Sequence, residues 1–89
     1  MNKTIVTVVG KDSIGIIARV CTYLSDARIN VLNISQTIVD GFFNMIMIVD
    51  MPSGIDFKSV NNELVNLGDE LGVSIKMQRE DIFNKMHRI

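Results

Sequence analysis

Residues 4–9, Thr-Ile-Val-Thr-Val-Val, are β-branched throughout and apolar on both faces when read with a period of two. This predicts a strand near the middle of a sheet. Gly10 closes it, and residues 10–15 (Gly-Lys-Asp-Ser-Ile-Gly) read as a tight loop. Ile17, Val20, Cys21 and Leu24, continued by Ala27, then recur at helical spacing, with Arg19, Thr22, Asp26 and Arg28 between them. That pattern predicts an amphipathic helix, with Asp12 or Ser13 as its N-cap. Residues 30–39 alternate Val31, Asn33, Ser35 and Thr37 with Leu32, Ile34, Gln36 and Ile38, a strand with one more polar face. Asp40-Gly41 is a two-residue hairpin signal, because a type I′ turn needs positive φ at both central positions.

Residues 42–51 return as a strand that is apolar on both sides, and Pro52-Ser53-Gly54 ends it. Phe57, Val60, Leu64, Leu67 and Leu71 mark one face of a second helix over about 56–71, with Gly72 as its C′ residue. Gly68 costs that helix roughly 1 kcal/mol against Ala, which points to close packing on the sheet. Residues 73–79 alternate cleanly as a fourth strand, and 80–89 read as a short closing helix or tail.

The order βαβ, hairpin, αβ uses one unit twice, and right-handed crossovers leave few ways to assemble it. The most apolar strands, the first and third, belong in the centre. The expectation is therefore an α+β, ferredoxin-like βαββαβ sandwich with sheet order 4-1-3-2 and both helices on one face. Residues 1–80 form the domain, and 81–89 pack on it or on a partner subunit. Helices cover only one face, so the central strands leave roughly a few hundred Å² of apolar surface bare, more than soluble monomers usually expose. A homodimer or higher oligomer follows as an expectation.

Composition narrows the function. With 89 residues, the chain makes a single small domain whose stability margin is thin. One cysteine and one histidine exclude an intrachain disulfide and any recognisable metal-ligand spacing. A net charge of −1 with mixed signs supplies no field for nucleic acid or an anionic membrane. No apolar run approaches the ~20 residues of a spanning helix. A free thiol and an N-terminus without signal-peptide architecture point to the cytoplasm. The acidic residues are dispersed, so neither catalytic residues nor a cofactor is expected.

The loop over residues 10–15 is the most informative stretch. Two glycines and a helix start with unpaired amides suit an anionic group; equally, the glycines permit a turn and Asp12 caps the helix. The pattern is neither a P-loop nor a dinucleotide fingerprint. Asn30 is expected near this loop, where its amide can donate to a carboxylate and accept from an ammonium; it also reads as a turn residue. Cys21 reads as a buried structural thiol.

The run Val9-Gly10-Lys11-Asp12-Ser13-Ile14-Gly15-Ile16, followed by Arg28-Ile29-Asn30-Val31 and Ile34-Ser35-Gln36, resembles the ACT domain. It is closest to the small stand-alone ACT proteins of bacteria and archaea. The resemblance implies pairing side by side or through sheet faces, and a free amino acid bound at the subunit interface. It also implies regulation of a metabolic or transcriptional partner protein, here unidentified. It places the ligand contacts at Lys11, Asp12, Ser13, Ile14, Gly15, Asn30 and Val31. Arg28 stands where a small residue is usual.

Three rivals share parts of this pattern. A ligand-free protein-interaction subunit needs no loop chemistry at all. An RNA-recognition module shares the strand order, but Asp40 stands where its third-strand motif has a basic residue, and the first strand lacks a stacking aromatic. An acylphosphatase-like enzyme needs an Arg in the first loop, which has only Lys11.

Overall fold

The computed structural model describes residues 2–11 and 15–79. The expectations for Asp12, Ser13 and Ile14 and for residues 80–89 lie outside the described residues. The elements are β1 (Asn2–Gly10), α1 (Ile16–Asp26), β2 (Asn30–Val39), β3 (Phe42–Met51), α2 (Phe57–Leu71) and β4 (Ser74–Arg79). The four strands form one antiparallel sheet in the order β2-β3-β1-β4, as the strand polarity predicts. Both helices lie on one side of it.

Side-chain alternation decides which residues meet the helices. Val6 and Val8 of β1 stand opposite Met47 and Met45 of β3, and opposite Met77 and Ile75 of β4. All six are buried, together with Val20 and Leu24 of α1 and Val60 and Leu64 of α2. Truncating a fully buried leucine such as Leu24 to alanine costs about 2–5 kcal/mol in such a core. Gly68 lies where α2 meets the start of β4. A Cβ there would stand 2.7 Å from the Val73 carbonyl oxygen, so only glycine allows this approach.

The turns behave as their residues dictate. Asp40 and Gly41 have φ of 51° and 79°, both in the left-handed region that a two-residue hairpin requires. Gly72 caps the C-terminus of α2 with φ 76°. At the other end of α2, the Asp56 carboxylate accepts from the Lys58 N–H (3.2 Å) and the Ser59 hydroxyl (2.8 Å).

Two local expectations are corrected. The N-cap position of α1 is held by Gly15, with φ 79° and no side chain to offer, and not by Asp12 or Ser13. In β2, the register shifts between Val31 and Asn33, so Leu32 is an extra residue in the strand. Val31 therefore shares the helix side with Ile34, Gln36 and Ile38, while Asn33, Ser35 and Thr37 take the opposite side. A strict period of two cannot see a bulge.

The face away from the helices bears Ile5, Thr7 and Val9 of β1 and Phe42, Ile46 and Ile48 of β3. Ile5 is buried and Ile48 half-buried, whereas Val9, Phe42 and Ile46 are exposed. The bare apolar surface thus gathers toward the hairpin end, where Val39 (58% exposed) joins it.

Candidate functional site

β1 delivers the first candidate segment. Gly10 stands across from Phe43, at the end of the sheet that carries the hairpin. Lys11 follows, exposed, with its Nζ 5.8 Å from the centre of the Phe42 ring. That distance is within reach of a cation–π attraction, which ties the loop to the hairpin end. Gly15, also exposed, opens α1, and its carbonyl accepts from the Arg19 N–H at 3.0 Å.

The C-terminus of α1 delivers the second segment. The Arg28 N–H donates to the Ser25 carbonyl (3.0 Å) and the Ile29 N–H to the Leu24 carbonyl (2.8 Å). This Schellman pattern needs a left-handed residue, a place usually taken by glycine. Here it is Arg28, with φ 61°. Asn30 then enters β2, exposed, opposite Asp50, with Val31 half-buried beside it. Cys21, Ser25, Arg28, Ile29, Asn30 and Val31 line an open groove of about 420 Å³ at this corner. Cys21 is half-buried along that groove rather than sealed in the core.

The two segments do not meet within one chain. β1 and β2 both run antiparallel to β3, so they run parallel to each other. Gly10 registers with Phe43 but Asn30 with Asp50, seven positions along β3 and therefore roughly 23 Å away. The expectation that Asn30 lies near the loop is corrected for a simple reason. The crossover helix returns along the whole sheet, so a parallel second strand starts where the first one started.

Sequence reasoning also missed Asp50. Its Oδ1 is buried without a hydrogen-bond partner, on a residue flanked in register by Lys3 and Asn30. The available signal was one charged residue inside an otherwise uncharged strand. Elsewhere, α1 and α2 are joined on their outer surface by Arg19–Glu70 (3.2 Å) and by the Tyr23 hydroxyl donating to Glu63 (2.9 Å). Among the described residues, no three His, Cys, Asp or Glu side chains gather as a metal site. No helix among them is long and apolar enough to cross a membrane.

Comparison with known proteins places these features in a wider set. The family model described as the ACT domain matches residues 2–78. A UPF0237 protein of Bifidobacterium longum is 62% identical over 90 residues, spanning 100% of both chains. The solved structure of an ACT domain protein from Streptococcus pneumoniae superposes with a TM-score of 0.84 at 39% identity, covering 92% of this chain and 93% of that one. A putative glycine cleavage system transcriptional repressor shares the fold at a TM-score of 0.80 and 18% identity, covering 88% of this chain and 46% of its own.

Proposed function

The chain belongs to the ACT domain family, and on that premise we propose that it is a non-catalytic regulatory module. It binds a small amino-acid-like ligand between two copies of itself and signals occupancy to a partner protein. The observation that carries this reading is the separation of the two candidate segments at opposite ends of one sheet. A ligand that touches both needs Lys11 to Gly15 from one copy and Asn30 and Val31 from another.

The edges of the sheet support such an assembly. β2 offers ten residues with no charge and no proline, whereas β4, at the other edge, carries Lys76 and Arg79. Charged edge residues discourage strand pairing, and β2 lacks them. Antiparallel pairing of two β2 strands sets the hairpin end of each copy beside the Asn30 end of the other. Asn30 then has an amide for both the carboxylate and the ammonium of an amino acid. The transcriptional repressor among the fold neighbours is a regulatory setting for the same architecture.

Sedimentation and thermal denaturation, run with each common amino acid, test this reading. The expected result is a dimer at micromolar concentration whose melting temperature rises saturably with one amino acid or a few related ones. Ligand at a hundred times its Kd adds about 2.7 kcal/mol. A monomer, or a melting temperature that no amino acid moves, overturns it. A dimer without any ligand response leaves the protein-interaction subunit in its place.

A further inference from the structure

We propose that the helix-free face of the sheet is a docking surface at the end opposite the hairpin, and that its occupant is the chain's own segment 80–89. The contrast that carries this runs along single strands. Ile5 and Val9 sit on the same strand and the same face, yet Ile5 is 4% exposed and Val9 37%. Ile48 and Ile46 repeat the contrast on β3, half-buried against 40% exposed. On β4, Gln78 is half-buried where Ser74 and Lys76 are exposed.

The three covered residues stand in one row. Ile5 registers with Ile48 on one side and with Gln78 on the other. Side chains on a strand stand roughly perpendicular to the sheet, so neighbours in a row screen one another's flanks and not their tops. A central residue with nothing above it stays open, as Val9 and Ile46 do. Ile5 is also the one buried apolar residue among those described that takes no part in the core beneath the helices. In the next row toward the end of the sheet, Oδ1 of Asp50 is shut off from water on this same face. Something therefore lies on top. It belongs to the chain itself, because the burial arises in a single copy.

Both helices pack on the other face. Residues 12–14 follow Lys11 at the hairpin end, and Met1 is a single side chain four positions before Ile5. That leaves residues 80–89. They follow Arg79, which registers with Thr4 and so leaves the sheet beside the covered row. From β4 across β1 to β3 is two strand spacings, roughly 10 Å, and a ten-residue segment spans about 15 Å even as a helix. Its apolar residues Ile82, Phe83, Met86 and Ile89 recur at the spacing that gathers them on one side of a helix.

The cover stops beyond β3, since Asn33, paired with Ile48, is exposed. β2 keeps its open edge, so this inference stands apart from the ligand reading above. What remains bare for another molecule is the hairpin half, with Val9, Phe42 and Ile46. Two whole sheet faces cannot stack while the segment is seated.

The test is methyl-labelled NMR of the full chain. Nuclear Overhauser contacts are expected from the Ile5 and Ile48 methyls to Phe83 or Met86, and none from Val9. Selecting contacts between labelled and unlabelled copies in a mixture should remove them. Phe83→Ser combined with Met86→Ser is expected to shift the Ile5 and Ile48 methyls, leave Val20 and Leu24 in place, and raise the fluorescence of an apolar dye severalfold. If that double variant fails to fold, the wild-type contacts still decide. Ile5 and Ile48 methyls that touch no residue of 80–89 overturn the proposal. So do contacts seen only between copies, or a folded double variant whose Ile5 and Ile48 signals do not move.

Discussion

Tyr23 shows how far one residue's environment reaches. Burial, and then its hydrogen bond to Glu63, push its pKa from 10.0 up to about 12. The fold favours the neutral phenol, so its contribution to stability is complete below pH 10 and is lost as pH climbs toward 12. Tyr23 is the only tyrosine, so ultraviolet titration reads it alone. The expected midpoint is about 12 in the folded protein and close to 10 in denaturant, with Glu63→Gln lowering the folded value. A folded midpoint near 10 would show that the helix–helix bond is absent in solution. Other residues were less open to inspection. Arg28 gives no hint in its side chain that its backbone is left-handed; the helix ending on either side of it imposes that. Asp50 reads in sequence as one charged residue in an apolar strand, since only the fold shows that its Oδ1 is buried without a partner.

At the scale of elements, the strands were almost fully legible, because a period of two and β-branching are properties of neighbouring residues. The alternation 73–79 and the Asp40-Gly41 turn led straight to β4 and the hairpin. The Leu32 bulge escaped, since one extra residue leaves no mark on composition. The α1 cap escaped as well, because Gly15 closes the helix with backbone geometry instead of a side chain. β2 carries the prediction that belongs here. Ile34 and Ile38 are exposed on this uncharged edge strand, and apolar edges without charge or proline pair readily. Ile34→Lys is expected to move the sedimentation equilibrium toward monomer without lowering the melting temperature by much, because the side chain already faces water in a single copy. An unchanged dimer would place the interface elsewhere, with the bare face around Phe42 and Ile46 as the next candidate.

For the molecule as a whole, the order of strands was legible and the site was not. Polarity ranks strands from centre to edge, and that ranking yielded β2-β3-β1-β4. Which segments meet depends instead on direction, and the parallel run of β1 and β2, which carries Asn30 to the far end from the first loop, leaves no mark on polarity. Their separation by most of the sheet's length has a genetic counterpart under the proposed reading. A chain damaged only at Lys11 and one damaged only at Asn30 would each be deaf when expressed alone. Refolded as a mixture, a hybrid pair keeps one undamaged half from each parent, so half the hybrids' pockets should regain amino-acid response in a thermal-shift assay. Complementation between two broken alleles is then expected of this protein, and its absence would mean that each chain listens by itself.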